Sequence, residues 1–364
     1  MKNYAAIILA AGYSSRMGDF KPLMDLDGKT PLQRCINLFQ NSGIYDIIVV
    51  TGYLNDRIEE QIKGFKTVVN NKYSEGMFSS VKAGVNVLSE NTDAFFLLPV
   101  DIPSVKEHTI KKMIERYEKI QDGILFPKFN EEKGHPTLLS CSLAKEILMK
   151  NPDGGLRDIL NEHKEKWYYE ELADRGILLD MDTKEDFKVL YEHTIKESFP
   201  DYEECMEILR LCNVRQETID HMISVCEFSK KIATLLNEKG YSLNINAVEA
   251  GALLHDVAKG KKSHAEEGAK IVENFGYKCL SEIIREHVEL KSCSKISEKE
   301  IIYVCDKLLK GTELVTLNDR FENAYKRYED APDILENINK RYEHATIIKE
   351  SIENMLGDRL ENLR

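Results

Sequence analysis

No apolar run in this 364-residue chain approaches the roughly 18 residues needed to cross a bilayer, so no membrane-spanning helix is expected. No CxxC pair occurs among the eight cysteines, which removes the commonest zinc and redox frameworks. Cys35, Cys141, Cys205, Cys212, Cys226, Cys279, Cys293 and Cys305 read instead as small buried apolar residues, three of them at heptad-like intervals. No Lys/Arg-rich stretch recurs with interleaved aromatics, and the net charge is -12, so nucleic acid is not an expected partner. Neither GxGxxG nor a P-loop run is present, which removes the usual dinucleotide and P-loop readings.

What is present is a soluble, acidic composition, 42% apolar and 31% charged, long enough for about two domains. The opening MKNYAAIILAAG carries one Lys and a short apolar run that soon ends in a charged loop. It reads as a strand and not as a secretory leader, and a cytoplasmic location is expected.

The first half alternates apolar strands (4–9, 46–51, 66–70, 94–98, 123–126) with helical segments (30–41, 54–62, 77–89, 105–119). That alternation predicts a parallel α/β sheet with right-handed crossovers, whose ligands sit beyond the carboxyl ends of the strands. The first strand empties there into Leu9, Ala10, Ala11, Gly12, Ser14 and Ser15, followed by Arg16, Gly18 and Lys21. Small residues let backbone N–H groups approach a phosphate closely, and Arg16 and Lys21 add positive charge. A second loop, LLPVDIP, carries Asp101 at the same edge, where a lone Asp ordinarily reads as a turn former or cap. Asn70–Ser80 runs into a helix start, which offers free N–H donors to an anion, with Ser79 and Ser80 as ordinary caps in competition.

Taken as a phrase, LAAGYSSRMGDFK resembles the signature of the MobA-like nucleotidyltransferases, and the resemblance extends over about residues 3–192. It implies a Rossmann-like α/β nucleotidyltransferase domain with a mostly parallel sheet. It also implies that Leu9, Ala10, Ala11, Gly12, Ser14, Ser15, Arg16, Lys21, Ser79, Ser80 and Asp101 bind a nucleotide, with Asp101 carrying Mg²⁺ and Asp182 as a second metal contact. Arg16, Lys21 and Asp101 are then the catalytic set. Gly134-His135-Pro136 and Asp153-Gly154-Gly155-Leu156-Arg157 echo the family's acceptor segments, which implicates His135, Gly155 and Arg157. The second of these departs from the G-D-K-G-A-R form, because Gly154 replaces its Lys. The LAAG spelling tilts the nucleotide toward CTP and the acceptor toward molybdopterin, with a molybdenum hydroxylase apoenzyme as a further partner.

Past a short linker ending at Pro200, strand alternation stops. Helical periods follow at 202–211, 216–238, 245–257, 264–275, 278–289, 297–309 and 313–328, which predicts an all-α domain. Histidines and carboxylates recur there in the order His221, His255-Asp256, His264, His287, Asp306. Imidazole with carboxylate is the donor set that Fe²⁺, Mn²⁺ or a similar divalent ion takes. The series resembles the HD-domain phosphohydrolases. That resemblance implies one metal held by His221, His255, Asp256 and Asp306, and a second held by His264 and His287 and bridged by Asp256. It also implies a catalytic Asp256 and a Lys259 that meets the substrate phosphate. Arg320 is a weaker phosphate candidate.

The expected layout is a transferase domain over 1–195, an HD phosphohydrolase domain over 201–330 and a helical extension over 331–364. The leading expectation is a bifunctional enzyme that passes a nucleotidyl group to a molybdopterin-type acceptor with release of pyrophosphate, and hydrolyses phosphate esters in its second half. The alternative is transfer to a sugar phosphate or another phosphorylated acceptor, with the HD half acting as a nucleotide sensor.

Overall fold

The computed structural model describes residues 2–13, 17–196 and 198–363. Ser14, Ser15 and Arg16 lie outside the described residues. The chain divides into two compact units, Met1–Ile195 and Lys196–Arg364.

The first unit contains strands β1 (Tyr4–Leu9), β2 (Asp46–Thr51), β3 (Lys66–Val69), β4 (Ala94–Pro99), β5 (Ile124–Phe129), β6 (Glu132–Lys133), β7 (Thr137–Ser140) and β8 (Trp167–Glu171). Between and after them run α1 (Pro31–Asn41), α2 (Asn55–Gln61), α3 (Met77–Val85), α4 (Glu107–Tyr117), α5 (Ala144–Met149), α6 (Leu156–Glu162) and α7 (Lys184–Thr194). The strands form one sheet ordered β3-β2-β1-β4-β7-β5-β6, with β8 beside β5.

Strands β1 to β4 pair in parallel, and β1 is apolar along its length because helices cover both faces of the sheet. Ala6 and Ile8 pack with Phe96 and Leu98 beneath α1 and α4. Ala5, Ile7 and Leu9 pack with Val50 and Leu97 beneath α3, α5 and α6. Local signals agree with this placement: Thr30 and Gln33 form a capping box at the start of α1, with Pro31 in its first turn.

Past β4 the sheet is not parallel throughout. Strand β7 runs antiparallel to both β4 and β5, and β5 turns directly into β6. The turn residues Asn130 and Glu131 both have positive φ, the geometry of a tight hairpin, but neither is the glycine that usually announces one.

The second unit is helical apart from one small hairpin: α8 (Tyr202–Leu211), α9 (Gln216–Glu238), α10 (Ile245–Leu254), α11 (His264–Asn274), α12 (Ser281–Glu286), α13 (Glu298–Leu308), α14 (Leu317–Arg327) and α15 (Pro332–Leu356). The helix expected over 313–328 is shorter, because Gly311 at φ +63° turns the chain between β9 (Leu309–Lys310) and β10 (Glu313–Leu314). Thr316 then caps α14. Helix α15 packs on α13, burying Ala345, Ile348 and Ile352, and the Tyr303 hydroxyl donates to Arg341 O at 3.0 Å. Of the cysteines, Cys35, Cys205, Cys226 and Cys305 are buried, as small apolar residues would be, while Cys279 is exposed.

Candidate functional site

In the first unit, β1 and β4 deliver their following loops to the same edge of the sheet. Lys21 is buried there, and its Nζ lies 2.6 Å from Asp182 Oδ1 and 3.4 Å from Asp101 Oδ2. Asp182 is available because the N-cap of α7 is its neighbour, Thr183, which forms a capping box with Asp186. Asp180 completes a group of carboxylates. Burial, then the charges of Asp182 and Asp101, raise its pKa above the ordinary aspartate value. Among the described residues, carboxylates gather here around the Lys21 ammonium, and such oxygens are the ligands a divalent cation takes.

Leu9, Ala11, Gly12, Lys21, Ser80 and Asp101 line a cleft of about 270 Å³ with Tyr73 and Met77. A Cβ added at Gly12 would meet no described atom within 4 Å, so among the described residues the backbone there is open to a ligand. Ser80 Oγ accepts from Asn70 Nδ2 at 2.9 Å, which leaves its proton for a ligand. Ser79 does not line this cleft. Its hydroxyl contacts Lys72 O and Gly76 O, and it borders a separate groove with Lys82 and Asn151. Ala10 is buried and donates its backbone N–H to Val50 O, so it supports the loop from behind.

A larger cleft of about 800 Å³ adjoins the first, and Leu9, Gly76, Met77 and Pro99 line both. It brings together His135 from one segment and Gly155 and Arg157 from another. His135 lies near Asp101, and burial lowers its pKa; its Nδ1 is buried without a hydrogen-bond partner among the described residues. Gly155 has φ +62°, a conformation that favours glycine, and an added Cβ would stand 3.2 Å from Phe78. At Gly154 the backbone N–H donates to Asp158 Oδ2, and an added Cβ would meet that carboxylate at 2.3–2.6 Å. The missing Lys at this position is therefore matched by a local Asp158 contact.

Motif reasoning passed over Phe126, Lys133, Asn161, Lys164 and Trp167, which line the same cleft. Lys133 stands next to Gly134-His135 in sequence, and Trp167 is the chain's one tryptophan, but neither forms a recognisable phrase.

In the second unit, α9, α10, α11, the end of α12 and α13 each bring a ligand-type side chain to one centre. Gly251 on α10 permits this close packing: a Cβ there would meet Ile283 and Ile302 at 2.8 Å. His221 Nε2 lies 3.0 Å from Asp306 Oδ1, and His255 Nε2 lies 3.6 Å from Asp256 Oδ2 and 3.7 Å from Asp306 Oδ1. On the other side, His264 and His287 approach Asp256 Oδ1 through Nε2 at 3.5 and 3.4 Å. Two groups with the reach to hold an ion result, His221/His255/Asp256 and Asp256/His264/His287, with Asp256 common to both.

Backbone carbonyls set the histidine tautomers. Nδ1 of His221 faces Gly311 O at 2.8 Å, that of His255 faces Ala252 O at 2.8 Å, and that of His287 faces Ile284 O at 2.6 Å. A carbonyl only accepts, so each Nδ1 donates, and in the neutral ring Nε2 presents its lone pair to the centre. The Nε2 of His255 is buried with no hydrogen-bond partner among the described residues, an orphan that a cation would satisfy. Burial lowers the pKa of His264 and of His287 and favours the neutral, ligating form. Burial is the largest single influence and works against ionisation of Asp256 and Asp306, but the neighbouring charges and hydrogen bonds together outweigh it, His255 leading for the first and Lys307 for the second, and hold both carboxyls well below the usual range.

Lys259 Nζ lies 2.6 Å from Asp256 Oδ2, and Arg320 stands 3.9 Å from Asp306 Oδ1 at the rim. Lys307 was not singled out by motif. It is buried, 2.6 Å from Asp306 Oδ2, and also donates to His287 O at 3.1 Å.

The loop-lined cleft on an α/β sheet is the arrangement of a nucleotidyltransferase, and residues 6–167 match the model of the MobA-like NTP transferase domain. Residues 218–311 match the HD domain. The molybdenum cofactor cytidylyltransferase of Escherichia coli (strain K12) is 31% identical over 187 residues, covering 50% of this chain and 92% of that protein. The 2-aminoethylphosphonate cytidylyltransferase of Lancefieldella rimae is 34% identical over 112 residues, 28% of this chain and 45% of that one. Among solved structures, Rv0371c from Mycobacterium tuberculosis H37Rv aligns with a TM-score of 0.48 at 21% identity, covering 52% of this chain and 98% of that chain. The chain belongs to the MobA-like NTP transferase family and carries an HD domain after its transferase domain.

Proposed function

We propose that the first unit transfers a cytidylyl group from CTP to a molybdopterin-type acceptor, and that the HD unit is a metal-dependent phosphohydrolase. The observation that carries the first half is the Lys21–Asp101–Asp182 cluster at the junction of a small and a large cleft. The choice of CTP and of the acceptor rests on the LAAG loop and on the resemblance to the E. coli cytidylyltransferase.

In this reading the nucleotide lies along Leu9, Ala11, Gly12 and Ser80, and the acceptor occupies the larger cleft by His135, Gly155 and Arg157. Juxtaposing the two lets an acceptor oxygen attack the α-phosphorus as pyrophosphate leaves, a reaction governed by positioning and charge neutralisation. Lys21 supplies fixed positive charge at the junction. Asp101 and Asp182 would hold Mg²⁺, which supplies further neutralisation of phosphate charge. The same reading assigns Arg16 a catalytic role with Lys21 and gives Ser14 and Ser15 to nucleotide binding, on the sequence alone.

In the HD unit, His221, His255, Asp256 and Asp306 would hold one divalent ion, such as Fe²⁺ or Mn²⁺, and His264, His287 and the shared Asp256 a second. Ions bound there lower the pKa of water and so supply the nucleophile for phosphoester cleavage. Lys259 and Arg320 lie where a substrate phosphate would be met. The acidic composition and the reduced cysteines fit a cytoplasmic enzyme, with a molybdenum hydroxylase apoenzyme as recipient of the product.

A second reading keeps the transferase but changes its acceptor to a sugar phosphate or another phosphorylated compound, a change that the likeness to the 2-aminoethylphosphonate cytidylyltransferase supports, and takes the HD unit as a nucleotide sensor. Pyrophosphate release from MgCTP across molybdopterin, glucose 1-phosphate and 2-aminoethylphosphonate separates the two. Release with molybdopterin alone supports the first reading, and release only with another acceptor overturns it.

A further inference from the structure

The larger cleft of the first unit holds three cations with no ion pair among the described residues, although Glu75 and Asp153 also line it. Lys133, Arg157 and Lys164 line it, and none has a carboxylate partner among the described residues. Elsewhere this acidic chain pairs such groups: Lys150 with Glu146 and Glu162, Lys166 with Asp122. Instead, the ammonium groups of Lys133 and Lys164 lie 4.2 and 5.9 Å from the centre of the Trp167 ring, and that of Lys133 also lies 5.1 Å from Phe126.

Strand register adds a second observation. The β5–β6 hairpin sets Lys128 directly opposite Lys133, a like-charge pair that costs stability in an antiparallel ladder. The aromatic groups beneath are fixed. Trp167 Nε1–H donates to Leu160 O at 2.9 Å, and its ring meets Phe126 edge-on at 5.1 Å. The cleft therefore combines a rigid aromatic wall with exposed, movable cations, in a volume of about 800 Å³.

We propose that Lys133 and Lys164, with Arg157, read an anionic group on the acceptor, and that Trp167 and Phe126 form the wall against which a flat ring packs. These residues then favour an acceptor that carries both a flat ring and an anionic group over one, such as a sugar phosphate, that carries the anionic group alone. This rests on the transferase reading and assigns it specificity residues.

Because Trp167 is the chain's one tryptophan, its emission reports on this cleft directly. The full chain is titrated with molybdopterin and, separately, with glucose 1-phosphate. Molybdopterin is expected to change the emission saturably, and Lys133→Ala and Lys164→Ala each to raise the midpoint by about tenfold or more, the effect of losing one hydrogen bond to a charged group. In turnover the same variants raise the acceptor KM with little change in kcat. MgCTP affinity, measured by calorimetry, stays at the wild-type value in both variants and reports that they are folded. Three results overturn the proposal: no response to molybdopterin, variants that keep the wild-type midpoint, or glucose 1-phosphate acting at an equal or lower midpoint. Failure of the wild-type chain to bind MgCTP would instead defeat the transferase reading and leave the emission titration to judge the cleft.

Discussion

Lys21 and Asp182, 161 positions apart in the chain, meet at 2.6 Å between Nζ and Oδ1. The contact joins the loop after β1 to the turn before α7, and Asp101 approaches the same ammonium at 3.4 Å. Replacing Lys21 by Met removes that ammonium from the carboxylates and, in the proposed reading, one positive charge from beside the phosphates. Pyrophosphate release is expected to fall about 10²–10³-fold, the range for removing one preorganised electrostatic contact. Asp182→Asn should fall in the same direction, and steady-state turnover with saturating MgCTP checks both.

Asp256 is the carboxylate common to both ligand groups of the HD unit. Asp256→Ala is expected to remove bound divalent metal from both, whereas His264→Ala should spare the His221/His255 side. Elemental analysis of the purified chain reads the difference. Equal metal content in wild type and Asp256→Ala would contradict the arrangement.

Lys307 holds Asp306 Oδ2 and His287 O, so Asp306 Oδ1 is left facing His221 and His255. Lys307→Met keeps the ligands but loses their orientation. Metal affinity should weaken about 10- to 100-fold, as for other groups that orient ligands, while Lys307→Arg retains part of it. Competition with a chelator of known affinity measures the change.

The Asp122–Lys166 pair ties the start of β5 to β8 at 2.7 Å. Hydrogen bonds, that from Lys166 foremost, lower the Asp122 pKa to about 2. An aspartate in the unfolded chain titrates near about 3.9, so the contribution is complete above that pH and is lost as pH falls through it toward about 2. Lys166→Met should therefore raise the pH at which Trp167 emission reports acid loosening of this edge. The two proteins should converge below about pH 2, where Asp122 is protonated in both folded and unfolded chains.

Much of the site was legible in the sequence because each piece lies in a short phrase tied to one structural task. Leu9–Gly12 leaves a buried strand and Asp101 follows another, so topology alone brings them to one edge. His221, His255, Asp256, His264, His287 and Asp306 are scattered in sequence, yet each sits on or at the end of a helix whose apolar period is clear. The antiparallel turn at Asn130-Glu131 was not legible, because positive φ at non-glycine residues leaves no compositional mark. Lys133, Lys164 and Trp167 were missed for a different reason: their meeting depends on the pairing of β5 with β6 and β8, which no local pattern encodes. Ser79 and Ser80, adjacent at the helix start, face different grooves, a separation the sequence does not encode; of the two, Ser80 lines the loop cleft.

The most direct test of the central claim is pyrophosphate release from MgCTP in the presence of molybdopterin, for the full chain beside its Asp101→Ala variant. The account predicts acceptor-dependent release by the wild-type chain and a loss of about 10²-fold or more in the variant. Release no greater than in Asp101→Ala, or release that does not depend on molybdopterin, would contradict it.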